Sequence, residues 1–179
     1  SKDYSSLFLW RIHMFEDKSF LITGGTTGIG RAFTDLFISE GAAKVYVCDL
    51  SQKNIDNLRD AYPGNSILHC FKVDVSITEE IEEMFQAIAD DFGGVDVLIN
   101  NAGININALI EDMDLETFEK VMKVNVSGPF LCSKLAIAQM RKRGWGRIIN
   151  LTSPSGNTGG AYSNGQIAYG ASKAALICM

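Results

Sequence analysis

Thr23-Gly24-Gly25-Thr26-Thr27-Gly28-Ile29-Gly30 is the stretch on which the reading of this chain turns. The apolar run Phe20 to Thr23 enters it and a helical pattern from about Gly28 to Ser39 leaves it, which makes the segment a tight strand-to-helix turn. At such a turn the first helical N–H groups lack partners and carry the positive end of the helix dipole, an arrangement that suits a pyrophosphate. Glycines let the backbone approach the ligand closely. Tight turns also recruit glycine for steric reasons alone, so the ligand reading needs support from elsewhere in the chain. A P-loop is excluded, because Arg31-Ala32 follows Gly30 where that motif needs Lys and then Ser or Thr. The order Gly24, Gly28, Gly30 also differs from G-x-G-x-x-G.

Outward from the turn, short β-branched and apolar runs alternate with longer helical patterns, the order that builds a parallel sheet covered on both faces. The predicted strands are Phe20 to Thr23, Lys44 to Cys48, Ile67 to Val73, Val95 to Asn100 and Arg147 to Thr152. Ser51 caps the second helix. Ile81, Met84, Phe85, Ile88 and Phe92 recur at three- and four-residue steps on the third. A single helix is expected from about Leu115 to Arg141, with Phe118, Val121, Met122 and Val124 facing inward, and a last one from near Ile167. The fold class is therefore α/β, a Rossmann-type doubly wound parallel sheet. Residues 1–13 show no period and read as a tail or tag, leaving 14–179 as one domain.

Composition narrows the partners. The 179 residues carry a net charge of -5 with 46% hydrophobic residues, and no lysine-arginine block offers a footprint for nucleic acid or an anionic membrane. The apolar run Leu7 to Trp10 is too short to span a bilayer. Cys48, Cys70, Cys132 and Cys178 lie in apolar stretches with no metal-ligand spacing, and read as free, buried thiols of a reducing cytoplasm. His13 and His69 have no companion ligands, so no metal site is expected.

Asp49 lies 19 residues beyond Gly30 at the end of the second strand, where a carboxylate can accept hydrogen bonds from ribose hydroxyls and repel a 2′-phosphate. A plainer role, capping the helix that follows, is compatible with this one. No arginine follows Asp49 directly, and Thr27 stands where a basic residue could have met a phosphate. NAD is favoured over NADP.

These features, with Asp74-Val75 after the third strand, Asn100-Asn101-Ala102-Gly103 closing the fourth, Asn125, Ser153, and the Tyr169-x-x-x-Lys173 pair, resemble the short-chain dehydrogenase/reductase family from about Phe15 to Met179. The resemblance implies the strand order 3-2-1-4-5, with the family's last two strands and its substrate lid lying outside this sequence. It implies a cofactor site of Gly24, Thr26, Thr27, Gly28, Ile29, Gly30, Asp49, Leu50, Asp74, Val75, Asn101, Ala102 and Gly103, completed by Tyr169 and Lys173 at the nicotinamide ribose. The catalytic set it implies is Asn125, Ser153, Tyr169 and Lys173. On a helix the i and i+4 side chains share a face, so Lys173 can set its ammonium beside the Tyr169 hydroxyl and favour its ionised form. A free tyrosine, with pKa about 10, is otherwise a poor base at neutral pH.

In the family-like mechanism Tyr169 takes the proton of a secondary alcohol as hydride passes to the nicotinamide, and returns it when a ketone is reduced. Ser153 orients the reacting oxygen, and Asn125 kinks its helix and anchors a water leading to Lys173. Ser155 is a rival for Ser153, and a helix-interior asparagine bonding its own backbone is the plain reading of Asn125. Tyr162 is not the equivalent of Tyr169, since Gln166 stands four residues on. The segment from Ser153 to Tyr169 is about three residues longer than the family's and is rich in Gly and Asn. The alternative to an enzyme is a truncated, catalytically inactive dinucleotide-binding fragment, whose fifth strand would be a sheet edge exposing Ile148 and Ile149. The family's homo-oligomers, dimers or tetramers, are the expected assembly of the complete protein.

Overall fold

The computed structural model describes residues 15–159 and 165–179. The expected tail 1–13, His13, and the loop residues Gly160, Tyr162 and Asn164 lie outside them.

Five parallel strands form one sheet: β1 (Ser19–Thr23), β2 (Lys44–Asp49), β3 (Leu68–Lys72), β4 (Val97–Asn100) and β5 (Arg147–Asn150), in the order β3-β2-β1-β4-β5. Between them run α1 (Gly28–Ser39), α2 (Gln52–Ala61), α3 (Thr78–Phe92), α4 (Leu115–Met122), α5 (Gly128–Arg143), the single turn α6 (Ser155–Thr158) and α7 (Ile167–Cys178). Successive strand residues point to opposite faces, and in the central strands both faces are apolar. Phe20, Ile22, Val45, Val47, Val97 and Ile99 pack with Phe37 of α1 and Leu58 of α2. Leu21, Tyr46 and Leu98 pack on the other face with Ile81, Met84, Phe85 and Ile88 of α3 and with Cys132, Ala136 and Met140 of α5. Each such large side chain, taken wholly out of water, contributes about 1.5 to 3 kcal/mol before chain entropy is set against it.

The register places Phe20 of β1 between Val45 of β2 and Val97 of β4. From β1 the chain winds outward in both directions, so the C-terminal ends of β1 and β4 border the crevice where the winding reverses.

The structure corrects several expectations. The helix from Leu115 to Arg141 is not continuous: a π turn, Lys123–Ser127, separates α4 from α5, which runs on to Arg143. Pro129 has no N–H to give the Asn125 carbonyl four residues earlier, so the α pattern cannot pass through, and the Gly128 N–H reaches back to the Lys123 carbonyl instead. β4 begins at Val97, because the Val95 N–H is taken by the Gln139 side chain and that of Asp96 by Ser19. β5 ends at Asn150 and β3 at Lys72. The thiols are free, but they are not all buried: Cys48 and Cys132 are, Cys70 is half-buried and Cys178 is exposed. Burial raises the Cys48 thiol and pushes that of Cys132 up to about 12. β5 does lie at the sheet edge, yet only Ile149 is exposed, while Ile148 packs against the core.

Candidate functional site

The glycine turn leaves β1 with Gly24 and Gly25 hydrogen-bonded to the Cys48 carbonyl, which fixes it beside the end of β2. Thr27 is the N-cap of α1 and spends no side-chain bond on capping. The N–H groups of Gly28, Ile29 and Gly30 in the first helical turn have no acceptor among the described residues. These are the donors a pyrophosphate would need. Gly30 is required by close approach: a Cβ there would lie 2.2 Å from the Gly24 carbonyl oxygen and 2.5 Å from Asn101 Nδ2. That amide in turn donates to the carbonyls of Thr23 and Gly24, 2.9 Å each. Thr23 Oγ1 accepts from the Asn101 and Ala102 N–H groups at 3.1 and 3.0 Å. The end of β4 thus braces the turn after β1.

Beside the turn opens a cavity of about 340 Å³. Gly24, Thr27, Asp49, Leu50, Asp74, Val75, Asn101, Ala102 and Gly103 line it, together with Lys120 and Val124 of the π-bulged helix, whereas Thr26, Gly28, Ile29, Gly30, Tyr169 and Lys173 of the implied set do not. Asp49 accepts from the Thr26 hydroxyl and, at 2.9 Å, from the Ser51 N–H. The cap of α2 is Ser51 rather than Asp49, its hydroxyl accepting from the Asn54 N–H at 3.3 Å. Asp74 accepts from the Ser76 N–H at 2.8 Å, which holds its carboxylate at the cavity wall. The residues present therefore fit a dinucleotide: a bare glycine turn with open donors, and beside it a cavity walled by the Asp49 and Asp74 carboxylates.

Gly103 joins this cavity to the second cluster, since a Cβ there would meet Asn125 Oδ1 at 3.2 Å and Lys173 Nζ at 3.7 Å. Asn125 is fully buried. Its Oδ1 accepts from the Ile104 N–H at 2.8 Å, and its Nδ2 donates to the Ile104 carbonyl at 2.9 Å and to Ser172 Oγ at 3.0 Å. The plain reading of Asn125, bonding its own helix, fails; the side chain ties the π turn to the loop at Ile104 and to α7. Ser172 donates to the Tyr169 carbonyl at 2.7 Å. Tyr169, Ser172 and Lys173 all belong to α7.

Lys173 is buried, and its ammonium donates to the Leu151 carbonyl at 2.6 Å. It lies 5.6 Å from the centre of the Tyr169 ring, and no hydrogen bond links it to the Tyr169 hydroxyl. Desolvation lowers its pKa below that of a free lysine. Ser153 follows two residues after Leu151, and its segment is drawn onto α7 through Gly156, where a Cβ would lie 2.8 Å from Ala174 N. Ser153 Oγ accepts from the Ser155 N–H at 3.2 Å and has no acceptor for its own proton among the described residues, whereas Ser155 gives its proton to Gln166 Oε1 at 2.9 Å.

Sequence reasoning missed Lys120, Ser172, the Leu151 carbonyl and the bracing bonds of Thr23. Ser172, between Tyr169 and Lys173 on a helix turned inward, carried a signal: a small hydroxyl on that face needs a buried partner. Lys120 carried none. Among the described residues no group of three His, Cys, Asp or Glu side chains could hold a metal, and no helix is long and apolar enough to cross a membrane.

Comparison with known proteins agrees with this geometry. A family model described as short chain dehydrogenase matches residues 18–179. The chain is 38% identical over 168 residues to the 3-oxoacyl-acyl-carrier-protein reductase FabG of Thermotoga maritima, covering 92% of this chain and 65% of the relative. It is 36% identical over 154 residues to the D-beta-hydroxybutyrate dehydrogenase of Rhizobium meliloti, covering 84% and 59%. The crystal structure of a short-chain dehydrogenase from Streptomyces avermitilis superposes with a TM-score of 0.80 at 31% identity, over 89% of this chain and 56% of that one. The chain thus spans 65% or less of the length of these proteins. Fold, turn geometry and sequence together establish that it belongs to the short-chain dehydrogenase/reductase family.

Proposed function

We propose that residues 14–179 form the NAD-binding domain of an oxidoreductase that interconverts a secondary alcohol and a ketone, with Tyr169 as general acid and base. One observation carries the reading: Lys173 is buried one helical turn from Tyr169, on a helix anchored to Asn125 directly behind Gly103 and the cofactor cavity. When bound, the nicotinamide supplies the hydride acceptor or donor. In the oxidative direction Tyr169 Oη accepts the substrate hydroxyl proton, and in the reductive direction it returns that proton to the new alkoxide oxygen. Ser153, its hydroxyl proton uncommitted among the described residues, donates to the reacting oxygen and fixes its position. Lys173 places a positive charge near the tyrosine ring and would hold the nicotinamide ribose. Desolvation makes its ammonium readier to release a proton, which suits a role in refilling the tyrosine.

Two relatives are named for 3-oxoacyl and 3-hydroxybutyrate compounds, so the substrate class proposed here is an acyl compound with oxygen on its third carbon. A homo-oligomer in the cytoplasm, its thiols reduced, belongs to the same reading.

The test is Tyr169→Phe in the complete protein. Turnover is expected to fall at least about a hundredfold while NADH binding persists. Turnover close to wild type would overturn the assignment. A second reading, nucleotide binding without turnover, is favoured by the commitment of the Lys173 ammonium to the Leu151 carbonyl rather than to the Tyr169 hydroxyl. An NADH fluorescence titration paired with a turnover assay on residues 1–179 separates the two: binding with no turnover supports the second reading for this chain.

A further inference from the structure

Asp49 is held from both sides. Its Oδ2 accepts from the Thr26 hydroxyl, which belongs to the glycine turn, and its Oδ1 accepts from the Ser51 N–H, which belongs to the start of α2. Thr26 is itself only 4% exposed, so water competes little for its hydroxyl. A carboxylate oxygen offers two lone-pair directions, so each oxygen keeps one free. Two free acceptor directions are what a ribose diol requires.

The presence of Asp49 does not by itself set the charge that a ligand meets. Among the described residues Lys120 also lines the cavity, as its one basic side chain. A mobile Asp49 could swing away from a 2′-phosphate and leave Lys120 to receive it. An Asp49 tied at both oxygens cannot, and it meets NAD without losing rotamer freedom on binding.

We propose that Thr26 is the positioning residue for cofactor choice: its hydroxyl, opposite the Ser51 N–H, locks the Asp49 carboxylate toward the adenosine ribose diol and into conflict with a 2′-phosphate. This rests on the reading of the cavity as an NAD site, and adds that selectivity belongs to the Thr26, Asp49 and Ser51 arrangement rather than to the carboxylate alone.

The experiment is equilibrium titration of the full chain with NADH and with NADPH, followed by cofactor fluorescence, for wild type, Thr26→Val and Thr26→Ser. Thr26→Val should lower the ratio of the two dissociation constants about tenfold, and Thr26→Ser should keep it within about twofold of wild type. Should Thr26→Val not fold, Thr26→Ala carries the same expectation. In an Asp49→Ala background, Thr26→Val should change the ratio no further, whereas a role confined to shaping the turn would act equally there. A wild type that prefers NADH, with a ratio untouched by loss of the Thr26 hydroxyl, overturns this inference and leaves the NAD reading standing. A wild type without preference for NADH overturns the NAD reading beneath it.

Discussion

Asn125 and Ser172, 47 positions apart in sequence, share a 3.0 Å hydrogen bond that ties the π turn after α4 to the middle of α7. Because Ser172 passes its own proton to the Tyr169 carbonyl, this bond orients the helix on which Tyr169 and Lys173 are presented.

Ser172→Ala removes that link without adding bulk. The Asn125 amide keeps its two bonds to Ile104, so the fold should lose only about 1 to 2 kcal/mol. Turnover in the complete protein should fall about tenfold, with the KM for NAD nearly unchanged, since α7 shifts relative to the reacting atoms and the glycine turn does not. Steady-state kinetics and thermal melts check both halves. Equal losses in kcat and in cofactor affinity would mean that the bond supports the whole site rather than α7.

Two glycines of the turn should respond differently to alanine. At Gly30 a Cβ would collide with the Gly24 backbone, so Gly30→Ala must open the turn, and NADH binding should be abolished even where the chain still folds. At Gly28 nothing lies within 4 Å, and the cost comes from φ of +55° alone. Gly28→Ala is therefore expected to cost about 1 kcal/mol and to weaken NADH binding without abolishing it. Fluorescence titration of both variants, beside a circular-dichroism melt, distinguishes steric blockage from backbone strain.

The strand-turn-helix unit and the succession of parallel strands were legible because they depend on local pattern: apolar runs, glycines and caps such as Ser51. Sites formed where strand ends meet were legible only as far as motifs carried them. Asp49, Asp74 and Asn101 sit at predictable ends of β2, β3 and β4, so their convergence follows from topology. The partner of Ser172 does not, because nothing in α7 indicates which residue of a distant helix faces it. The break at Lys123–Ser127 was half-legible: Pro129 forbids one helical bond, but whether a chain answers with a kink, a turn or a π bulge depends on tertiary packing. Of the two hydroxyls at Ser153 and Ser155, the second is claimed by the Gln166 side chain, a contact that no local pattern announces.

Arg143 fastens the far end of the sheet. Its guanidinium donates twice to the buried Asp96 carboxylate, at 2.8 and 2.9 Å, and Asp96 also accepts from the Ser19 N–H at 2.8 Å where β1 starts. Arg143→Met keeps the stem but leaves Asp96 a buried charge with half its partners. With Arg143 partly open to water, a loss of about 2 to 3 kcal/mol is expected in urea unfolding, without change in NADH affinity once folded. An effect below about 0.5 kcal/mol would place the pair among ordinary surface ion pairs.

The opposite edge of the sheet should make stability sensitive to mild acid. His69 of β3 stands 3.0 Å from Lys44 Nζ and 3.7 Å from Asp91, which also accepts from the Tyr46 hydroxyl at 2.6 Å. Burial, and then the Lys44 charge, lower the His69 pKa, outweighing the pull of Asp91. A base with a depressed folded pKa binds fewer protons folded than unfolded, so its contribution is complete above the unfolded value, about 6.5, and is lost as pH falls through the folded one. Urea unfolding at about pH 7.5 and pH 5.5, both above the ordinary carboxylate range, should therefore show wild type losing more stability than His69→Gln. Parallel losses in the two proteins would assign the acid sensitivity to groups other than His69.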